Sequence, residues 1–286
     1  MIRFFCLAWG DHFTDMLERV LLRSFMQPRN ATAIPSDCVV SLYSNKASME
    51  KVSTLAAKIG KVEPHIIDTT SGEETQHKAL RQEVRICYET DATLIMLCPD
   101  SFWGDGSLGN LLTIAGKTNN CIAAPHVRVD EKQFLNELPD CTFDNQALVA
   151  RSFKTLHKSW VDADADKPVI NSFYAGVSWR RLGEGLYAVT HRVPTIWLAR
   201  FTEKDMEFFE RDNASGIWDH YWPEELVRSE RQRVIGSSDA FFIAELTNAS
   251  THSTLLHDND GSNPDQYFRP AVHTSTNRNV TAIWRY

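Results

Sequence analysis

The chain has 286 residues, of which 43% are hydrophobic and 10% aromatic, so it can bury a large core and is not a disordered chain. Its 30 basic and 37 acidic residues give a formal net charge of −7, and no run rich in lysine and arginine offsets this balance. The charge disfavours extended binding to a nucleic-acid backbone, whereas a small charged substrate is compatible with it.

The first half of the sequence alternates between strand-like and helix-like segments. Strands are predicted over residues 2–8, 38–43, 62–67, 93–97 and 121–124. Helices are predicted over residues 14–25 with Thr14 as cap, 48–59, 73–89 and from about Leu108 onward. Pro64 predicts that the third strand lies at the edge of a sheet. Alternation with short connections predicts an α/β fold whose sheet is mostly parallel, with helices on both faces.

The second half is less regular. Helices are predicted over residues 130–138, 143–159 and 219–230, and strands over 186–190, 195–199, 233–235 and 280–284. An acidic hinge is predicted over residues 161–168, where Asp and Ala alternate before Lys-Pro. Residues 248–279 are rich in Ser, Thr, Asn, Asp and His and are predicted to form long surface loops, so the C-terminal part is expected to be irregular.

The stretch from Asp91 to Leu112 is the centre of the functional interpretation. Residues 93–97 form a short, continuously apolar run closed by Pro99, which is typical of a strand buried on both faces. Asp100 follows, and turn residues lead into a capped helix. Because ligands of open α/β sheets bind outside the carboxyl ends of the strands, Asp100 is predicted to lie at a ligand-binding edge.

The six cysteines all lie in the first half and contain no C-x-x-C pair. Several lie in apolar runs, so we predict reduced structural thiols in preference to disulfides or a zinc site. The amino-terminal stretch is interrupted by Gly10 and Asp11 too early for a secretory signal, and no apolar run approaches the ~18 residues of a membrane span. We therefore predict a cytoplasmic protein without a membrane segment.

Several short motifs occur in an order that resembles nucleotide-sugar-dependent glycosyltransferases of the GT-A fold, in particular poorly characterised bacterial and phage proteins. The resemblance covers roughly residues 2–246. In the first half it rests on Trp9-Gly10, His77, Asp100, Asp105-Gly106-Ser107 and Arg128-Val129. In the second half it rests on Gly185-Leu186, His191, Pro194, Trp218 to Tyr221 and Ser238-Asp239.

The resemblance implies a GT-A-like, Rossmann-like unit in which residues 1–160 bind the nucleotide-sugar and residues 167–286 form the acceptor side, packed on the first half. It implies transfer of a sugar from a nucleoside diphosphate donor to a hydroxyl acceptor of unknown identity. The implied donor-binding residues are Ala8, Trp9, Gly10, His77, Arg81, Asp100, Asp105 and Gly106. An inverting enzyme needs a base near the acceptor, for which Asp239 and Asp219 are the candidates, whereas a retaining enzyme needs none.

Metal dependence is left open by a departure from the family pattern. Metal-dependent GT-A enzymes usually carry Asp-x-Asp where this chain has Cys98-Pro99-Asp100. The paired carboxylates bind Mn²⁺ or Mg²⁺, which neutralises the diphosphate leaving group. Here Asp100 could hold a metal ion together with His191, His257 or His273. Alternatively, Asp100 and Asp105 bind sugar hydroxyls while Arg or Lys stabilises the phosphates.

Two other functions stay open. The missing first Asp favours a non-catalytic module that keeps the nucleotide-sugar fold and binds a ligand or a partner. A Rossmann-type nucleotide enzyme ranks lower, because the first loop lacks the G-x-G-x-x-G spacing. Several predicted site residues also have a structural interpretation. Asp100 and Asp105 could be turn or capping residues, His77 a surface histidine, and His191 a hydrogen-bonded core histidine. Aromatic residues that could form an acceptor platform or belong to the core are Trp179, Trp218, Tyr221 and Trp222.

Overall fold

A computed structural model describes residues 1–68, 72–116, 121–138, 143–166, 169–171, 177–191, 194–210, 222–250, 256–258 and 280–286. The strands are β1 (Ile2–Leu7), β2 (Val39–Ser44), β3 (Lys61–Ile66), β4 (Thr93–Leu97), β5 (Ser101–Trp103), β6 (Cys121–Ala124), β7 (Val127–Asp130), β8 (Val169–Asn171), β9 (Val177–Gly183), β10 (Leu186–His191), β11 (Thr195–Ala199), β12 (Gln232–Val234), β13 (Ile243–Thr247), β14 (Leu256–Asp258) and β15 (Val280–Arg285). The helices are α1 (Gly10–Met16), α2 (Arg23–Phe25), α3 (Pro28–Ala31), α4 (Met49–Ala56), α5 (Gly72–Glu89), α6 (Ser107–Ala115), α7 (Glu131–Glu137), α8 (Asn145–Lys154), α9 (Lys158–Val161), α10 (Glu203–Phe209) and α11 (Trp222–Arg228).

The chain divides into two compact units, and neither is continuous in sequence. Met1–Ala123 and Ile196–Arg233 form the first unit, and Ala124–Thr195 and Val234–Tyr286 form the second. The predicted donor half (residues 1–160) and acceptor half (residues 167–286) are defined by function and not by these structural units. That assignment stays a prediction.

The first unit is built on a seven-stranded sheet with the order β12-β6-β11-β4-β1-β2-β3. β1 pairs in parallel with β2 and with β4, β2 pairs in parallel with β3, and β11 is antiparallel to β4. All five residues of β4 are buried, as a central strand requires. The predicted α/β class with a mostly parallel sheet is therefore confirmed. Pro64 lies in β3 at the end of the sheet, where a strand can lack one N–H donor.

Helices cover both faces of this sheet. Successive residues of a strand point to opposite faces, and Arg3 of β1 contacts Glu83 of α5 whereas Phe4 contacts Phe25 of α2. The two rings of the Phe4–Phe25 pair meet edge to face, with centroids 5.5 Å apart. The α5 helix therefore covers one face, and the helical segment that follows β1 covers the other.

A buried polar network joins β1, β2 and α5. Arg3 Nε donates to Glu83 Oε1 at 2.6 Å, and Arg3 Nη2 donates to Ser41 Oγ at 2.6 Å and to Glu63 Oε2 at 2.7 Å. Ser41 Oγ and the Tyr43 hydroxyl donate to the same Glu83 carboxylate at 2.7 and 3.0 Å. Glu83 is fully buried and Arg3 is 2% exposed, so each charge depends on the other for compensation.

The first helix begins earlier than the pattern predicts. Thr14 is not its cap; the helix starts at Gly10 and continues through a π-helical segment, Leu17–Leu22, into α2. The Thr14 hydroxyl instead donates to the Gly10 carbonyl at 2.7 Å within the helix. Gly10 has φ of +71°, a conformation that turns the chain from β1 directly into the helix and that glycine adopts without strain.

The second unit contains the antiparallel sheet β15-β10-β9, the parallel pair β7 and β13, and the antiparallel pair β8 and β14. The predicted helix over 143–159 is wrong as one element: it is interrupted between α8 and α9. Asp130 N donates to the Thr155 carbonyl at 2.7 Å, and His157 N donates to the Arg128 carbonyl at 3.0 Å. These bonds to β7 replace the helical hydrogen bonds, so the helix ends after α8.

β14 lies within residues 248–279, which are predicted to form loops. Most of this stretch falls outside the described residues.

The cysteines bear out the prediction of structural thiols where they are described. Cys6, Cys38, Cys87, Cys98 and Cys121 are in no disulfide, and all but Cys98 are buried. Burial raises the pKa of the Cys6 and Cys121 thiols to about 12, so neither is a thiolate at neutral pH. Cys141 lies outside the described residues.

Candidate functional site

The carboxyl ends of four parallel strands of the first unit lie at one edge of the sheet. Cys6 of β1 pairs with Leu97 of β4, so Ala8 and Pro99 each lie two residues beyond a paired position. The loops that begin with Ala8 and Cys98 are therefore neighbours, as the sequence predicts for Ala8, Trp9, Gly10 and Asp100. Successive strands run from β1 through β2 to β3, and β4 then returns to the other side of β1. This reversal creates the kind of crevice in which open α/β sheets bind ligands.

Gly10 faces open space at this edge. Its N–H donates to Ser48 Oγ, which follows β2, at 3.0 Å. A Cβ atom built on Gly10 would meet no atom within 4 Å, so steric room exists beside the backbone. Because φ is +71°, a side chain here would strain the backbone even though space is present. Ala8 is buried and donates its N–H to the Tyr43 carbonyl, whereas Trp9 is half-buried beside Phe13.

Asp100 is half-buried in the short connection after β4, immediately before β5. Pro99, the preceding residue, is buried and has a restricted φ angle, which limits the backbone freedom just before Asp100. A half-buried carboxylate at a strand end can accept hydrogen bonds from ligand hydroxyls. The structure thus brings Asp100 to the edge that carries Gly10, and donor binding by Asp100 stays a prediction.

Asp105 and Gly106 take part in a reciprocal capping contact with α3. Asp105 Oδ1 accepts from Arg29 N at 2.9 Å and from Asn30 N at 3.0 Å. In return, Asn30 Oδ1 accepts from Gly106 N at 2.9 Å and from Leu108 N at 3.1 Å, at the start of α6. Gly106 has φ of +94°, which suits glycine. These are the contacts of structural turn residues, and a role of Asp105 and Gly106 in donor binding stays a prediction.

His77 and Arg81 lie on α5 in the first unit, five and nine residues from the start of the helix that follows β3. Both are half-buried. Arg81 lines a groove of about 490 Å³ between α5 and α10, together with Arg85, Met206 and Phe209. At about 1.5 Å rise per residue, Arg81 is about 14 Å along the helix from Gly72, and His77 is nearer to the carboxyl edge of the strands.

In the second unit, Asp239 is bound by Arg285. Its Oδ2 atom accepts from Arg285 Nε at 2.6 Å and from Arg285 Nη2. The hydrogen bond and charge of Arg285 hold the pKa of the Asp239 carboxyl below its usual range. A carboxylate stabilised in its ionised form is a weak proton acceptor, which opposes the predicted role of Asp239 as a base. Asp219, the other candidate, lies outside the described residues.

A polar region of the second unit joins Arg128 and His191, which the sequence analysis names, to His126 and Glu245, which it does not. Parallel pairing of β7 and β13 places Glu245 beside Arg128, and Glu245 Oε1 lies 3.0 Å from Arg128 Nη2. Glu245 Oε2 lies 2.8 Å from Nε2 of His126. The His191 ring, 3% exposed at the end of β10, lies 5.8 Å from the His126 ring between centroids. His191 is therefore a buried histidine beside a half-buried polar cluster formed by His126, Arg128 and Glu245.

The cluster keeps Glu245 ionised. Burial opposes ionisation, but the nearby charges of Arg128 and His126 outweigh it and lower the pKa of the Glu245 carboxyl to about 2. The unfolded carboxyl titrates near 4.3, so this stabilisation is fully present above about pH 5 and is lost as the pH falls through the folded-state pKa.

We expect the free energy of unfolding of Glu245→Gln to lie on the order of 2 kcal/mol below that of the wild type at pH 7. The difference should shrink toward zero near pH 2, because the protonated Glu245 then resembles glutamine. Urea denaturation of both proteins at several pH values measures this. A difference that does not change with pH would contradict the assigned ionisation.

The side chains available as ligands decide whether this edge of the sheet could hold a metal ion. Among the described residues, no group of three or more His, Cys, Asp or Glu side chains is arranged to hold a metal ion. Mn²⁺ and Mg²⁺ need several oxygen ligands, and Asp100 follows Cys98 and Pro99 instead of a second carboxylate. The described residues therefore do not fit such a metal, and metal binding by Asp100 and His191 stays a prediction. His273 lies outside the described residues, and of His257 only the backbone in β14 is described.

Of the candidate platform aromatics, Trp222 belongs to the core and Trp179 is half-buried. Trp222 is fully buried and donates its Nε1–H to Asp205 Oδ1 at 2.7 Å. Trp179 donates its Nε1–H to the Trp160 carbonyl at 2.7 Å and packs edge to face on Phe153. Trp218 and Tyr221 lie outside the described residues.

No family model matches the chain, and no curated protein matches it. Among solved structures, a putative glucose-1-phosphate thymidylyltransferase from Bacillus anthracis has 8% identity and a TM-score of 0.37, with 90% of this chain and 89% of that chain covered. A 4-diphosphocytidyl-2C-methyl-D-erythritol synthase from Anaerococcus prevotii has 10% identity and a TM-score of 0.38, covering 82% and 86%. Mouse xyloside xylosyltransferase 1 has 14% identity and a TM-score of 0.32; 49% of this chain matches 59% of that protein.

Of these three structures, one is named as a glycosyltransferase, one as a thymidylyltransferase and one as a synthase. All three TM-scores are below 0.5, so no inference about substrate or mechanism follows from them. Within the described parts of the chain, no helix is both long and apolar enough to cross a membrane.

Proposed function

We propose that the chain is a glycosyltransferase that moves a sugar from a nucleoside diphosphate donor to a hydroxyl acceptor. One observation carries the proposal: the loops after β1 and β4 meet where the strand order reverses, with open space at Gly10 and a half-buried carboxylate at Asp100. Backbone at a glycine can approach a nucleotide closely, and a carboxylate accepts hydrogen bonds from sugar or ribose hydroxyls.

The proposal has further parts that come from the resemblance. Residues 1–160 hold the donor, with His77 and Arg81 beside it, and residues 167–286 hold the acceptor. Asp219 stands as a base candidate, and the ion pair with Arg285 opposes the same role for Asp239. The protein is cytoplasmic, in keeping with cysteines that form no disulfide where they are described.

A second candidate function is a non-catalytic module that binds a nucleotide-sugar. It is favoured by the lone carboxylate of Cys98-Pro99-Asp100 and by a described ligand set that does not fit a metal ion. Without a metal, neutralisation of the leaving diphosphate must come from donors such as Arg and Lys.

Thermal unfolding of the purified chain with UDP-, GDP-, ADP- and TDP-sugars tests the proposal. We expect a rise in Tm of several degrees with one donor class, and slow hydrolysis of that donor, because a ligand that binds only the folded state stabilises it. Asp100→Ala should remove both effects. Asp37→Ala is the matched control, since it removes an exposed carboxylate just before β2, at the opposite edge of the sheet.

The outcomes separate the candidates. Binding that is lost in Asp100→Ala, without turnover in any condition, identifies the binding module. A response to NAD alone indicates the Rossmann-type enzyme. No response to any nucleotide-sugar, or equal responses of Asp100→Ala and wild type, overturns the proposed site.

A further inference from the structure

The groove between α5 and α10 combines an apolar lining with charged side chains of both signs. Both helices belong to the first unit. The groove has a volume of about 490 Å³, which is within the range of small-molecule sites. Its apolar lining comes from Ile86 of α5 and from Met206 and Phe209 of α10, and these two residues of α10 are 9% and 3% exposed. The charged lining residues are Arg81, Arg85, Glu89 and Glu210.

The groove lies away from the sheet edge that carries Gly10 and Asp100. α5 runs from the end of β3 back to the start of β4, so its last turns lie near the amino ends of these parallel strands. Arg85 is in the last two turns, about 20 Å along the helix axis from Gly72 at ~1.5 Å per residue. α10 follows β11, which is antiparallel to β4 and therefore ends at the same amino edge. A ligand in the groove is thus remote from the loops after β1 and β4.

An exposed ion pair joins α5 to the end of α10 in this groove. Arg85 Nη2 lies 3.4 Å from Glu210 Oε1, and the two side chains are 60% and 59% exposed. A guanidinium has five N–H donors and a carboxylate has about four acceptor sites, so most of this capacity is still available for a ligand. An exposed pair of this kind contributes little to stability, and a ligand can replace it at small cost.

The charges of the groove match a ligand that carries both signs. A ligand carboxylate can take the place of Glu210 on the Arg85 guanidinium, through two parallel hydrogen bonds. A ligand ammonium can donate to the Glu210 carboxylate at the same time. Arg81 and Glu89 lie four residues before and after Arg85, on the same side of α5, and add one further charge of each sign. A simple anion would separate Arg85 from Glu210 and leave Glu210 without a replacement partner.

We propose that this groove binds a free α-amino acid with an apolar side chain. The α-carboxylate binds Arg85, the α-ammonium binds Glu210, and the side chain packs on Met206 and Phe209. Both charged groups of an α-amino acid are attached to one carbon atom, so they fit between two partners that already lie within ion-pair distance. The inference does not depend on the proposed glycosyl transfer, because it concerns a different ligand at a different part of the first unit.

L-Phenylalanine is the probe, and the methyl NMR signal of Met206 is the readout. Methyl-labelled methionine gives one signal for each of the six methionines, and Met206→Leu identifies the signal of Met206. We expect L-phenylalanine to shift this signal with a Kd on the order of 1 mM, because its ring packs beside the methyl group. The signal of Met16, which is 2% exposed in α1, should stay unchanged.

Two analogues of the probe each lack one charged group. N-acetyl-L-phenylalanine keeps the carboxylate without the ammonium, and L-phenylalaninamide keeps the ammonium without the carboxylate. We expect each analogue to bind at least about tenfold more weakly than L-phenylalanine, because each gives up a charge-assisted hydrogen bond. The same titration of the Met206 signal measures all three affinities.

Substitutions in the ion pair test the two partners separately. Arg85→Gln and Glu210→Gln each remove one charge at an exposed position, and each should weaken L-phenylalanine binding about tenfold or more. A simple anion site predicts the opposite result for Glu210→Gln, because the competing carboxylate is then gone. Arg19→Gln is the matched control: Arg19 forms an exposed ion pair with Asp15, and its loss should leave the affinity at the wild-type value.

Several results would overturn the proposal. One is an unshifted Met206 signal at about 10 mM L-phenylalanine, roughly ten times the expected Kd. Equal affinity for N-acetyl-L-phenylalanine, or tighter binding by Glu210→Gln, would identify an anion site instead. A Met206 signal that shifts with protein concentration alone would place a second copy of the chain in the groove. The titrations contain no nucleotide-sugar, so a failure of the proposed glycosyl transfer leaves the amino-acid site standing.

Discussion

Replacing Glu83 with alanine is expected to destabilise the protein by about 3–5 kcal/mol, the cost of leaving a buried charge without its partner. Arg3 is 2% exposed, and Glu83 accepts from Arg3, Ser41 and Tyr43 within the core. Among the described residues, Glu63 is then the one charged partner left to the Arg3 guanidinium in Glu83→Ala, and the Glu63 side chain is 37% exposed. Urea denaturation measured by circular dichroism gives the free energy of unfolding.

Two further variants of the chain test whether the loss of stability comes from the unpaired charge. The double variant Arg3→Met/Glu83→Leu should recover much of the lost stability, because apolar side chains of similar size remove both charges together. Glu74→Ala on the same helix is the matched control: Glu74 forms an exposed pair with Lys78, and its loss should change stability by about 0.5 kcal/mol or less. A Glu83→Ala protein as stable as Glu74→Ala would refute the role assigned to the network.

Replacing Asn30 with alanine is expected to cost about 3 kcal/mol, because several buried polar groups lose their partners at once. Asn30 is fully buried, and its carboxamide accepts from Gly106 N and Leu108 N. The same side chain donates to the carbonyls of Ser24 at 3.2 Å and Gly104 at 3.0 Å. Chemical denaturation of the variant measures the loss.

Asn30→Asp gives a sharper test of this contact. The carboxylate can still accept from the two backbone amides, but it has no N–H to offer the two carbonyls and repels them. Asn30→Asp should therefore remain clearly less stable than the wild type at pH 7. Asn136→Ala, an exposed position on α7, should stay within about 0.5 kcal/mol of the wild type. Wild-type stability of Asn30→Asp would show that the donor half of the contact is dispensable.

The sequence predicts local structure well where the physical cause is local. The continuous apolar run of β4, the edge position of Pro64 in β3 and the turn at Gly106 depend on residues close in the chain. The neighbouring positions of Gly10 and Asp100 follow from one further rule, that parallel strands present their carboxyl ends at the same edge.

Features that depend on distant partners could not be predicted in this way. Glu245 meets His126 and Arg128 only because β13 pairs with β7, and no periodic pattern in either segment specifies that pairing. The residues that interrupt the predicted helix over 143–159 do so through bonds to β7. Asp105 could be identified as turn chemistry, but its partner Asn30 lies far away in sequence, so its capping contacts were not foreseeable.

The position of Cys98 makes the sheet edge accessible to a direct chemical assay. Among the described cysteines it alone is not buried, and it follows β4 two residues before Asp100. A thiol-alkylating reagent should therefore modify Cys98 faster than the other four, and a bound nucleotide should slow that modification. With the proposed donor binding, alkylation of Cys98 would report occupancy of the site, and mass spectrometry would measure it without a label.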